Sequence, residues 1–313
     1  MYKPSCPFCL ARKTVKFGLP RWKCLKCKRT FRVRRKDRRD RAAIAGYVLD
    51  RSTYRRLGVR WDVSHTTAIR RVRRALKRRG SLLARTKRLL PLCDGVCILD
   101  GKHIRIQGKL HMLFVAWDRG LGQPLHFLLK EGGEKELWYW KLLTDLKRAG
   151  YAPKGFVPDG ILTLKEFLAE SYAEFPHQRC TVHVFLAARG KVGGGGKTTE
   201  RTDDLIELMR RILWSGTLSK ARARFRKVWN VSHLTRTERS ALDFIWTALP
   251  ECFVCRDPRW LHLNLPRSSN AIENVMGQVE ARLKTRRGTK SQSSAELLIN
   301  ELLLQVGVQV INQ

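Results

Sequence analysis

Residues 96–106 read Val-Cys-Ile-Leu-Asp-Gly-Lys-His-Ile-Arg-Ile, and the fold is decided by what this stretch is. Val96–Leu99 is a short apolar run that ends at Asp100-Gly101. His103–Ile106 continues extended, and Gln107-Gly108 turns the chain. Leu110–Trp117 then reads as a second strand and Leu125–Leu129 as a third. Glu134–Ala149 carries Leu137, Trp138, Leu142, Leu143 and Leu146 at helical spacing. Gly155–Val157 is a brief strand that ends in Pro158-Asp159-Gly160. Leu162–Tyr172 comes next as a helix and Gln178–Val182 as another strand.

Three strands, a helix, a strand, a helix and a strand is the order of an α/β, ribonuclease-H-like fold. In that order the ends of the first and fourth strands lie side by side, so Asp100 and Asp159 are expected to meet. A third acid should arrive from a late helix. Residues 267–278 open such a helix, with Ser269 and Asn270 near its cap. Asn270, Glu273 and Asn274 fall on one face at i, i+3 and i+4.

Outward from this block the composition changes. The chain has 313 residues, 43% hydrophobic, enough for a sizeable core and about two domains. Its formal net charge of +36 implies a polyanionic partner. Residues 1–90 hold 30 Lys and Arg against 4 Asp and Glu, so most of the charge sits there. No run approaches ~18 uninterrupted apolar residues, so no membrane span is expected. The opening residues lack the apolar stretch of a secretory signal.

Nine cysteines are present, four of them as Cys6-x2-Cys9 and Cys24-x2-Cys27. Paired knuckles of this kind place four thiolates around one structural Zn2+, which predicts a zinc ribbon over residues 1–35. Residues 36–90 read as a helix-turn-helix. Ala42–Leu49 forms its first helix, 52–59 a second that ends at a glycine turn, and a third starts after Ser64. On that third helix Ala68, Ile69, Val72 and Leu76 face inward. His65, Thr66, Thr67 and Arg70 are placed to read base edges, and Arg71 and Arg74 to meet phosphate. Residues 203–249 form a helical insertion holding Trp214, Trp229 and Trp246, expected mainly as core. A Gly193–Gly196 run resembles a phosphate loop, but Lys191 stands where that pattern needs Gly, so it reads as a linker.

Four motifs in order carry a resemblance. They are Leu-Asp-Gly-Lys at 99–102, Pro-Asp-Gly at 158–160, Arg-Cys-Thr-Val-His at 179–183 and Ser-Asn-Ala-Ile-Glu-Asn at 269–274. Together they resemble the Mutator-type transposases, which include the bacterial and archaeal transposases of the insertion sequence 256 family. The resemblance covers roughly residues 91–290. It implies a catalytic domain over 91–190 and 262–313, interrupted by an all-helical insertion at 191–261. It implies an Asp-Asp-Glu triad of Asp100, Asp159 and Glu273. Cys180 and His183 match that family's Cys-x-x-His signature, and Asn270 belongs to its last motif. The N-terminal ribbon departs from the usual start of the family and looks more like the front end of other insertion-sequence transposases.

The function expected on this basis is DNA strand cleavage and strand transfer. Three carboxylates can hold two Mg2+ ions, with Mn2+ as a substitute, for in-line phosphoryl transfer. The partners would be double-stranded DNA, as element ends and as target, and further copies of the chain in a homodimer or larger synaptic complex. The location would be the cytoplasm of a bacterium or archaeon, on its nucleoid. Arg282, Lys284, Arg286 and Arg287 after the third acid are assigned to DNA contact. Asp94 and Asp118 read as turn residues beside the site, Glu131 and Glu134 as solvated, and Cys252 and Cys255 as core cysteines. Two rival readings are a transposase-derived regulator that only binds DNA, and a structure-selective nuclease of the same fold.

Overall fold

The computed structural model describes residues 3–9, 11–18, 21–32, 35–160, 162–193, 200–230, 234–284 and 291–310. The N-terminal unit is a three-stranded antiparallel sheet of β1 (Thr14–Lys16), β2 (Arg21–Cys24) and β3 (Thr30–Arg32). Its small core is Cys6, Ala11 and Cys24, backed by Phe31. Too little apolar surface is buried there to stabilise about thirty residues without a crosslink or metal.

Helix α1 (Arg35–Ile44) starts earlier than the apolar pattern suggests and runs into a wider π-type turn at Ala45–Leu49. Helix α2 (Tyr54–Arg60) is capped by the Thr53 side chain, and α3 (His65–Arg78) by Ser64, each accepting a backbone N–H three residues on. Gly58 does not end α2. The turn comes later, through left-handed Asp62, and Gly58 is small because a Cβ there would lie 2.9 Å from the Val63 carbonyl. Ala68, Val72, Ala75 and Leu76 form the buried stripe of α3.

Helix α4 (Leu82–Leu89) leads to a four-stranded mixed sheet. Strands β4 (Val96–Ile106) and β5 (Lys109–Asp118) form a hairpin turned by Gln107 and Gly108, both with positive φ. Strand β6 (Gln123–Glu131) pairs antiparallel with β5, and β7 (Gly155–Pro158) pairs parallel with β4, giving the order β6-β5-β4-β7. Strand β4 runs through Asp100-Gly101 to Ile106, the extended continuation that the sequence indicates. The expected strand at 178–182 is shorter and earlier. Residues 176–180 lie beside β7 through Phe156 N to Pro176 O, Gln178 N to Phe156 O and Cys180 N to Pro158 O, and helix begins at Thr181.

Alternate residues of β4 feed two cores. Cys97 and Leu99 face α5 (Glu136–Arg148) and α6 (Leu162–Ser171). Val96 and Ile98 face α11 (Asn270–Lys284) and α12 (Gln292–Val310). The second core is continuous with the inner faces of α1 and α3, so the N-terminal helices and the sheet share one apolar interior. A third core holds α7 (Thr181–Gly193), α8 (Glu200–Leu213), α9 (Leu218–Trp229) and α10 (Arg236–Cys252). Thr235 and Glu238 form a reciprocal capping box at the start of α10. Trp214 and Trp246 stay partly exposed, and Trp229 stacks on Phe225. From residue 194 the expected glycine linker lies outside the described residues. Among the described residues no helix is long and apolar enough to cross a membrane.

Candidate metal centre and nucleic-acid face

The parallel register sets the first two acids. Leu99 pairs with Pro158, so Asp100 and Asp159 are the next residues on adjacent strands and point to the same side. Gly101 is needed behind them, since a Cβ there would lie 2.8 Å from the Tyr139 hydroxyl and 3.1 Å from a Glu134 carboxylate oxygen. Gly160 has φ +102°, and a Cβ there would lie 2.7 Å from Arg179 Nε. Arg179 donates to the Gly160 carbonyl at 3.3 Å and pairs with Glu251 at 3.3 Å, tying the Asp159 turn to the end of α10.

Glu273 sits in the first turn of α11, whose start is fixed by the Ser269 carbonyl accepting from Ile272 N at 2.8 Å. His183, in the first turn of α7, lies 3.5 Å from Glu273 through Nε2. The Ser269 hydroxyl is 3.4 Å from Cys180 Sγ, 3.4 Å from His183 Nδ1 and 3.3 Å from Glu273 Oε1. The structure therefore places Cys180, His183 and Glu273 together, with Asp100 and Asp159 within their electrostatic reach. Asn270 is exposed on the same helix start.

The electrostatics follow from crowding. Asp100 is only 5% exposed, and burial pushes its carboxyl up to about 7, with Asp159 and Glu273 adding repulsion and His183 opposing it. His183 is raised to about 9, first by its hydrogen bond with Cys180, then by the charges of Cys180, Asp100 and Asp159, against the effect of its own burial. Burial resists ionisation of Cys180, but hydrogen bonds from His183 and Ser269 hold the thiol below its ordinary value.

One side chain escaped the sequence reading. Glu134 is half-buried, not solvated, and accepts a hydrogen bond from the buried Tyr139 hydroxyl. Burial raises its pKa, the Tyr139 bond opposes this, and the charge of Asp159 adds to it. It stands behind Gly101, beside the acids. A single Glu after two glycines gives no sequence signal for this position. Glu131, in contrast, is exposed and pairs with Lys109. Asp118 is fully buried and accepts from Gly95 N, Leu121 N and the Tyr151 hydroxyl, while Asp94 pairs with Arg119, so both are turn residues as expected.

At the N-terminus Cys6, Cys9, Cys24 and Cys27 bring four sulfur atoms together, with Cys6–Cys27 and Cys9–Cys24 each at 3.5 Å. A Zn–S bond of about 2.3 Å requires a tetrahedral edge of about 3.8 Å, close to these spacings. Backbone N–H groups of Phe8 and Cys27 point at Cys6 and Cys24 sulfur, each at 3.4 Å. The four cysteines can bind zinc. Cys252 and Cys255 are buried, and among the described residues neither joins Cys93 or Cys97 in a ligand cluster.

On α3, His65, Thr66, Arg70, Arg71 and Arg74 are exposed, and Thr67 is half-buried with its hydroxyl held by Ser64 at 2.9 Å. Arg282 is corrected. It is 4% exposed, and its guanidinium donates to the Val48 carbonyl at 3.3 Å and to the Tyr47 carbonyl, so it ties α11 to the π-type turn and is not open to DNA. Lys284 is exposed and pairs with Glu280 at 2.6 Å. Arg286 and Arg287 lie outside the described residues. No protein-family model and no curated protein matches this chain.

Proposed function

We propose that this chain is a DNA transposase of the Asp-Asp-Glu type. The observation that carries the proposal is the juxtaposition of Asp100 and Asp159 on parallel strands with Glu273 and His183 at their side. The sheet order, with residues 176–180 as a rudimentary fifth parallel strand, supports a ribonuclease-H-like catalytic domain interrupted by a helical insertion. The thiolate geometry supports one structural Zn2+ in an N-terminal ribbon.

The donor set fits Mg2+, or Mn2+ in its place. Carboxylate oxygens are hard ligands, and three acids that repel one another around a buried Asp100 need cationic charge to ionise together. Asp100, Asp159 and Glu273 would hold the ions, which when bound supply Lewis-acid activation of the attacking and leaving oxygens. The chain's own residues do the rest. The exposed face of α3 binds the terminal inverted repeat, its arginines on phosphate and His65 and Thr66 toward base edges. Water attacks the phosphodiester at the element end and releases a 3′-OH, and that hydroxyl then attacks a target phosphodiester in line. His183 places positive charge beside the acids, where the scissile phosphate is negative. Joining two ends to one target implies at least two copies of the chain.

A labelled duplex carrying the DNA that flanks the reading frame, incubated with Mg2+ and a target plasmid, tests this. Nicked and joined products are expected from wild type and not from Glu273→Gln. Binding without cutting would leave only a DNA-binding regulator, and cutting without joining would leave a nuclease.

A further inference from the structure

Cys180 and His183, three residues apart, offer two metal ligands and need at least a third. The fold supplies the missing ligand. Glu273 comes from a helix far along the chain, and the ligand atoms of Cys180, His183 and Glu273 all lie within 4.8 Å of one another. We propose that Cys180, His183 and Glu273 form a second zinc site, separate from the N-terminal ribbon and specific for a borderline-soft divalent ion.

The ligand chemistry sets the ion. Sulfur and imidazole favour Zn2+ over Mg2+ by the ordinary affinity order, and one thiolate, one imidazole and one carboxylate leave a fourth position for water. The outer contacts suit such a site. Cys180 sulfur receives the Ser269 backbone N–H at 3.4 Å, and the Ser269 hydroxyl lies within 3.4 Å of all three ligands. An entry path exists, because Cys180 is buried while the side chains of His183 and Glu273 are about one-third exposed.

The site has a consequence that rests on the transposase reading. Zn2+ held by Cys180, His183 and Glu273 competes for the carboxylate that would complete the Mg2+ centre with the two aspartates. Zinc at this site therefore switches cleavage off.

The test is zinc counting on the full-length protein, without DNA. After equilibration with Zn2+ and removal of the free ion, wild type should hold two zinc ions per chain. Cys180→Ser and His183→Gln should each hold one, and Glu273→Gln should bind the second ion at least tenfold more weakly. Cys27→Ser, which damages the ribbon, should keep the second site. Co2+ gives an independent reading, since the second equivalent should add thiolate-to-cobalt charge transfer that Cys180→Ser lacks. One zinc in wild type, or two in both Cys180→Ser and His183→Gln, overturns the proposal. These outcomes stand whether or not the chain cuts DNA. If it cuts, added Zn2+ should suppress cutting at fixed Mg2+ in wild type, and loss of cutting in Glu273→Gln tests the transposase reading separately.

Discussion

Replacing Arg282 by Met tests whether this arginine clamps the fold, as its contacts indicate, or meets DNA, as the sequence suggests. The guanidinium is 4% exposed and serves the carbonyls of Tyr47 and Val48 at the π-type turn, with the Tyr47 ring 6.0 Å away. Methionine fills similar space but leaves both carbonyls without that donor. An unsatisfied buried carbonyl costs about 1–3 kcal/mol, so the pair gives a loss of roughly 3 kcal/mol once the apolar gain of Met is set against it. The assay is urea unfolding of the full chain, read together with the salt dependence of DNA binding. Each phosphate contact contributes about 0.9 to the slope of log K against log salt. Arg282→Met should lower the unfolding midpoint and leave the slope unchanged, whereas Arg70→Ala and Arg74→Ala should lower the slope by about one each and leave stability alone. An Arg282→Met protein with wild-type stability and a reduced slope would refute the buried clamp and return Arg282 to the DNA.

The site carries four further expectations. Asp100→Asn, Asp159→Asn and Glu273→Gln should each abolish strand cleavage in a gel assay while end binding persists; near-normal cutting by any one refutes the triad. Asp100 has a folded-state pKa raised to about 7, so without divalent ions its burial weakens the fold as pH rises from about 4 to 7, by at most about 1.4 kcal/mol per unit. Asp100→Asn should flatten that decline, and added Mg2+ should reverse it in wild type only, as thermal melts across this range would show. Glu134→Gln keeps an acceptor for the Tyr139 hydroxyl but removes a charge next to Asp159, so Mn2+ binding should weaken severalfold with little change in melting, while Tyr139→Phe should do the opposite. A chelator strong enough to strip structural zinc should unfold residues 3–32, whose core is three small side chains, and leave the far-ultraviolet helix signal of the remainder largely intact.

Much of this molecule is legible residue by residue. The Gln107-Gly108 turn announces the β4–β5 hairpin, and apolar spacing marks α5. Asp100, Asp159 and Glu273 are legible because each sits at the end of a pattern or at a helix start. The losses have physical causes. The opening residues of α1, Arg35 to Arg41, are all charged, so no apolar period reveals them. Residues 176–180 pair with β7 on one side over too few residues to show a strand period. Arg282 looks like a phosphate ligand because a local reading cannot know that a turn 234 residues earlier will cover it. Glu134 is hidden for a similar reason, since only the absent side chain of Gly101 brings it near the acids.

The shared interior of the N-terminal helices and the sheet fixes more than stability. Packed cores have discrete arrangements and do not flex continuously, and here Val72 and Leu76 of α3 belong to the same cluster as Ile98 and Val275. If α3 reads bases as proposed, it and the acids are held at one rotational phase around any duplex that lies across both. About five base pairs inserted between the recognised sequence and the cut site turn the phosphate by about half a helical turn, to the far side of the duplex, whereas about ten return it to the same face. On the proposed function, the helical pitch of DNA would become part of the recognition code.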